Sequence, residues 1–163
     1  DGIFVECGVY HGFSLNRLAE WSDREIHGFD SFSGLPEDWK PGEAAGSYST
    51  QGKLPGVPSH VQLHPGWFDD SLPEFMARLA QPIALLHVDC DLYSSTRTVL
   101  EHLGPHLHEN AIVVFDDFLA YPGYREHEFR AAHEFFGQSS RKPVPSAGVI
   151  LGRSVAFVYG RDP

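Results

Sequence analysis

Short apolar runs alternate with stretches of helical periodicity along most of the chain. The runs are GIFVEC (2–7), EIHGF (25–29), HVQLH (60–64), IALLHV (83–88) and AIVVF (111–115). Each is strand-length and rich in β-branched or aromatic residues. Between them the spacing predicts helices near 13–21, 71–80, 94–107 and 125–137. Leu15, Leu18 and Ala19 share one helical face, as do Val99, Leu100, Leu103 and Leu107. Ser94 or Ser95 is the expected N-cap of the third helix. Strands alternating with helices in this way make a parallel sheet covered on both faces.

The end of the chain breaks the alternation. AGVILGRSVAFVYG reads as two strands joined by a tight turn around Gly152–Arg153, hence an antiparallel hairpin. The expected fold is therefore α/β: a doubly wound, Rossmann-like sheet, mostly parallel, with an antiparallel C-terminal hairpin. Residues 31–59 carry neither period and are rich in Gly, Pro and Ser. A loop this long inside a compact domain is usually a functional lid or disordered. Trp39 and Tyr48 favour the lid.

Length and composition narrow the classes. A chain of 163 residues is most simply one domain, 1–163, with a core of ordinary size. Net charge is −10 with no Lys/Arg run, which argues against nucleic acid as a partner. Apolar stretches stop well short of a membrane span and the start shows no signal-peptide pattern. Cys7 and Cys90 form neither a disulfide framework nor a zinc spacing, and with the rest they point to a reduced, cytoplasmic protein. The first strand begins at the second residue, so an N-terminal helical extension is expected to be absent.

Candidate chemistry gathers at the ends of the runs. In open α/β sheets ligands bind outside the carboxyl ends of the strands, where strand order reverses. The first strand leads into VECGVYHGFS, with Gly8 and Gly12 spaced GxxxG and no GxGxxG. Gly8 permits a tight turn beside a ligand and Gly12 a close approach. Glu6 ends that strand, and Asp30 ends the second, where a carboxylate can accept both hydroxyls of a ribose or cap the next turn. Gly66, Trp67 and Phe68 follow the third strand and suit the faces of an adenine ring. An ExGxxxG turn, an acid after strand two and an antiparallel last strand together resemble class I S-adenosylmethionine-dependent methyltransferases. That resemblance makes Glu6, Gly8, Gly12, Ser14, Asp30, Ser31, Trp67 and Phe68 the expected contacts of S-adenosylmethionine.

HVDCDLYSST and IVVFDDF deliver four more carboxylates: Asp89, Asp91, Asp116 and Asp117. Clustered carboxylates repel and raise one another's pKa. A hard divalent cation such as Mg2+ or Ca2+ relieves that repulsion through oxygen ligands. The motifs VECGVYHGFS, GFDSFSGLPE, GWFDDSLPEF, HVDCDLYSST and VVFDDF, in this order, resemble the macrocin O-methyltransferase family, whose metal site is similar to that of catechol O-methyltransferase. The likeness runs from Glu6 to about Phe136. It implies Mg2+-assisted methylation of a hydroxyl on a small molecule, often a natural-product sugar. It implies Asp89, Asp116 and Asp117 as metal ligands, Asp89 as the general base or its neighbour, and Asp91 behind them. A homodimer is the assembly it suggests. His11 stands where the family usually has Arg, and His87 precedes the metal motif with either a packing or a base role. A cofactor-binding domain that is metal-independent or catalytically inactive is the competing reading.

Overall fold

The computed structural model describes residues 2–139, 143–148 and 152–160. Its strands are β1 (Ile3–Cys7), β2 (Ile26–Asp30), β3 (Val61–Pro65), β4 (Ile83–Val88), β5 (Leu107–Phe115), β6 (Pro143–Gly148) and β7 (Val155–Tyr159). The helices are α1 (Phe13–Trp21), α2 (Phe68–Met76), α3 (Tyr93–Leu103) and α4 (Glu128–Gln138). They build a seven-stranded sheet in the order β3-β2-β1-β4-β5-β7-β6. Strands β1 to β5 pair in parallel, and β7 pairs antiparallel with both β5 and β6. The doubly wound class expected from the alternation is the one found.

The hairpin is antiparallel as expected, but its first strand starts earlier, at Pro143; Val149, Ile150 and Leu151, which the expectation included, lie outside the described residues. Three helix boundaries also differ, each for a local reason. The second helix begins at Phe68, because extended Trp67 precedes it and Asp69 and Asp70 complement the dipole of its first turn. The third ends at Leu103, since Gly104 and Pro105 turn the chain into a short 3-10 segment; Leu107 therefore opens β5 rather than closing a helix. Neither Ser94 nor Ser95 caps that helix. Leu92 is its N-cap, through a carbonyl that accepts from Thr96 N, while Ser94 Oγ donates to Glu37. The fourth begins at Glu128, after a 3-10 turn over Tyr124–Glu126.

The central strands are buried on both faces. Ile3, Val5, Ile83, Leu86, Val88, Val113 and Phe115 form one core with Leu72, Val99, Leu100, Leu103 and Phe136 from the helices. A second, smaller cluster joins Val9, Leu15, Ile26 and Val61 to Phe32 at the root of the long loop. Among the described residues, no helix is long and apolar enough to cross a membrane.

Candidate active site

Strand order reverses between β1, which leads outward to β2 and β3, and β4, which leads to β5. A cavity of about 270 Å3 opens at that point, above the carboxyl ends of the strands. Gly8, Asp30, Ser31, Trp67 and Phe68 line one side of it, and Asp89, Asp91, Asp116 and Asp117 the other. Of the expected cofactor contacts, Glu6, Gly12 and Ser14 are not on its wall.

The carboxylates of the β1–β2 side are bonded within the chain. Glu6 is fully buried; its Oε1 accepts from Ser14 Oγ at 3.0 Å and its Oε2 faces His87 Nδ1 at 2.8 Å. The parallel register places Glu6 directly opposite His87, so the two side chains meet on one face of the sheet. Burial alone would lower the His87 pKa, but the Glu6 bond and the charges of Glu6, Asp89 and Asp116 together raise it. Asp30 Oδ2 accepts from Val9 N at 2.8 Å and Tyr10 N at 2.7 Å, while Oδ1 accepts from Phe32 N at 2.7 Å. Three of roughly four acceptor sites on that carboxylate are thus taken, which leaves about one for a ligand hydroxyl. Capping of the next turn, the modest alternative for Asp30, is present.

The two glycines also serve the fold. A Cβ on Gly8, at φ 96°, would stand 1.6 Å from the Asp89 carbonyl oxygen, so the side chain is excluded by the end of β4. A Cβ on Gly12, at φ 77°, would stand 2.9 Å from Pro55 of the long loop. Exposed His11 lies against the ring of Tyr10 and away from the cavity wall.

The carboxylates of the β4–β5 side are less well served. Burial, then Asp116, Glu6 and Asp117 against the opposing effect of His87, push Asp89 up to about 7. Burial and the charges of Asp89 and Asp117 push Asp91 up to about 8. Asp116 Oδ1 accepts from Ser154 Oγ at 2.7 Å, and Asp117 Oδ1 from Arg153 at 2.9 Å. Among the described residues, no three His, Cys, Asp or Glu side chains stand together as a ready-made metal cage. The donor set is all oxygen, four carboxyl groups with Arg153 on Asp117 and His87 near Asp89, and oxygen donors of this kind suit a hard divalent cation.

Residues 5–118 match the protein family described as a methyltransferase domain. The chain belongs to that family. Demethyldecarbamoylnovobiocin O-methyltransferase of Streptomyces niveus is 28% identical over 156 residues, covering 80% of this chain and 58% of the relative. Mycinamicin III 3''-O-methyltransferase of Micromonospora griseorubida is 28% identical over 160 residues, covering 81% of this chain and 61% of the relative. The chain thus spans about three fifths of the length of these curated relatives. The crystal structure of CalS11, a calicheamicin methyltransferase, superposes with a TM-score of 0.80 at 24% identity, over 99% of this chain and 73% of that one. MycE from the mycinamycin pathway, in complex with Mg, SAH and mycinamycin VI, gives 0.58 at 16% identity, over 98% and 45%. These likenesses carry the fold.

In this methyltransferase domain the loop 31–59 packs as a wall beside the cavity. Trp39 is buried against Leu92 and Tyr121, with the Lys40 ammonium 3.2 Å from its ring centroid. Leu35 and Ser47, Leu35 and Gly46, and Trp39 and Glu43 are joined by backbone hydrogen bonds. Leu35, Pro36 and Tyr48 from this loop line the cavity, and Tyr48 meets Tyr10 edge-on at 5.7 Å. Nothing in the loop's composition shows which of its side chains face inward.

Glu128 is a further residue of the site, absent from the motifs at the strand ends. It is fully buried on α4, in the same stripe as Ala131, Ala132 and Phe136. Its Oε1 accepts from Cys90 N at 3.3 Å and from Asp91 N at 3.2 Å. Burial, then the charges of Asp89 and Asp91, raise its pKa well above the usual carboxylate range. A carboxylate on the apolar stripe of an amphipathic helix was the available signal.

Proposed function

We propose that this methyltransferase domain is a metal-dependent O-methyltransferase that moves the methyl group of S-adenosylmethionine to a hydroxyl of a small molecule, such as a natural-product sugar. The observation that carries the reading is the set of four aspartates that line one cavity together with Asp30, Trp67 and Phe68. The relatives that bear O-methyltransferase names support it, as does the Mg held by MycE.

S-adenosylmethionine would supply an electrophilic methyl group when bound; Trp67 and Phe68 would hold its adenine and Asp30 would accept one ribose hydroxyl. Asp89, Asp116 and Asp117 would hold Mg2+, which lowers the pKa of a coordinated hydroxyl. Asp89 accepts the hydroxyl proton, as a positioned carboxylate can. Leu35, Pro36 and Tyr48 of the lid 31–59 press the apolar face of the acceptor and exclude water. Positioning of the acceptor by these side chains would supply much of the remaining acceleration. A cytoplasmic location and a homodimer belong to the same proposal, and sedimentation velocity decides the latter.

A metal-independent variant, with Asp89 alone as base, draws on the bonds that Asp116 and Asp117 already make to Ser154 and Arg153. Calorimetric titration separates the two. Binding of S-adenosylmethionine, together with Mg2+ uptake that EDTA reverses, supports the metal-dependent enzyme. Cofactor binding without any Mg2+ uptake leaves the metal-independent one. No binding of S-adenosylmethionine sinks both.

A further inference from the structure

The turn between β4 and α3 carries Asp89 and Asp91 into the cavity, and its backbone is unusual. Asp91 has φ 63°, in the left-handed region that non-glycine residues seldom enter. Such a conformation persists where surrounding contacts over-determine it. Two consecutive N–H groups of the turn, those of Cys90 and Asp91, converge on the single oxygen Oε1 of Glu128. On the other side the Cys90 thiol lies 3.5 Å from the hydroxyl of Thr96, which is itself fully buried. The turn is therefore held between α4 and the first turn of α3.

Packing alone gives no reason for an acid at position 128. Its neighbours in the stripe are Ala131, Ala132 and Phe136, and an apolar side chain there would avoid the penalty of burying a carboxylate. What the acid adds is an acceptor that two adjacent amides can share. Burial, with Asp89, Asp91 and Asp117 nearby, opposes ionisation of Glu128, so its side chain offers the two amides an acceptor at a cost that an apolar residue would avoid.

We propose that Glu128 is a positioning residue: by holding the Cys90 and Asp91 amides it fixes the direction in which Asp89 and Asp91 project into the cavity. The assignment rests on the reading of Asp89 as base and ligand given above. It concerns an acceptor at a stated place, so it separates two variants of similar size. Glu128→Gln keeps a carbonyl oxygen for both N–H groups, whereas Glu128→Met fills the same space and offers none.

The test compares both variants with the unaltered protein by NMR, without cofactor, and by Mg2+ calorimetry. In Glu128→Met the Cys90 and Asp91 amide protons should move upfield and lose exchange protection. The side-chain carboxyl carbons of Asp89 and Asp91 should shift with them, and Mg2+ affinity should fall by roughly 10–100-fold, as for other groups that orient ligands. Glu128→Gln should restore all four signals and the affinity nearly to those of the unaltered protein. Amides that stay in place in Glu128→Met overturn the assignment. So do amides that move while the Asp89 and Asp91 carboxyl carbons do not, which would reduce Glu128 to a brace for the backbone. Equal damage in both variants overturns it as well, by making charge rather than the acceptor the active feature. If the unaltered protein takes up no Mg2+, the metal reading fails by itself and the spectra still decide the role of Glu128.

Discussion

Acidic residues end strands on both halves of the sheet; Glu6 and Asp30 on one half are treated differently from Asp89 and Asp91 on the other, where Asp116 and Asp117 keep bonds to Ser154 and Arg153. On the β1–β2 side, Glu6 and Asp30 are bonded to Ser14, His87 and three backbone N–H groups. On the β4–β5 side, Asp89 and Asp91 are pushed up to about 7 and about 8, chiefly by burial, with like charges adding to it. A buried charge with partners is part of the scaffold; a buried charge short of partners is a place where something else binds. The same residue type thus builds the scaffold at Glu6 and Asp30 and is the proposed seat of chemistry around Asp89, and the difference in partners between these acids is what the variants below test.

The contrast breaks first at Asp89. Asp89→Asn keeps the shape and removes the proposed proton acceptor, so methyl transfer from labelled S-adenosylmethionine to a catechol or vicinal-diol acceptor should fall about 10²–10⁴-fold. Cofactor affinity, read by calorimetry, should change little. A parallel loss of cofactor affinity would move Asp89 to the other half of the site and erase the distinction.

Glu6 should fail in the opposite manner. Glu6→Ala leaves the His87 imidazole and the Ser14 hydroxyl without their shared acceptor in a buried place. Removing one partner of such a pair costs about 3–5 kcal/mol. The urea midpoint should drop accordingly, and any protein that remains folded should still bind S-adenosylmethionine. A stable Glu6→Ala protein with lost cofactor binding would return Glu6 to the ligand site.

These differences also explain which features were legible in the sequence. Sheet class, strand sites and the four aspartates follow from periodicity and from residues at strand ends, which are local properties. Partnering is not local. Glu6 meets His87 only because β1 lies beside β4 in a particular register. Gly12 must be glycine because Pro55, more than forty positions away, packs on it. Leu107 keeps helical spacing with Leu103, yet the Gly104–Pro105 pair turns it into a strand residue. Trp39 hinted at an ordered loop, but the bonds that make 31–59 a wall join residues with no regular spacing.

The polar pair on β2 and β3 sharpens the comparison through pH. His27 Nδ1 and His64 Nε2 are 2.9 Å apart, His27 lies 3.3 Å from Glu25, and Glu74 and Arg78 act on His64 from α2 and the turn that follows it. Burial, then the charges of His27 and Arg78, holds His64 down to about 4. The unfolded imidazole titrates near 6.5, so it binds its proton more tightly than the folded one. Stability from this site is complete above about pH 6.5 and declines as pH falls towards 4. Because the ring is only half-buried, solvent screening reduces the effect to about 1–2 kcal/mol. His64→Gln should therefore lose less urea resistance between pH 7.5 and pH 5 than the unaltered protein. Identical losses would remove His64 from the acid response.

Asp91→Asn is the smallest effect and the one with the least expected sign. On the scaffold side, taking away a carboxylate takes away bonds. At position 91 it takes away repulsion from Asp89 and Asp117, lets an amide N–H stand in for the carboxyl hydrogen bond to Asp117, and leaves the backbone N–H to Glu128 in place. Asn also tolerates the left-handed backbone that φ 63° demands. The metal-free protein should consequently gain on the order of 0.5–1 kcal/mol at pH 7, read as a higher urea midpoint. Mg2+ affinity should fall at the same time, because the carboxyl whose ionisation the fold opposes is the one whose charge would draw the cation. A variant that loses stability would show that the Asp91–Asp117 hydrogen bond outweighs the repulsion, and that both halves of the sheet manage their acids alike.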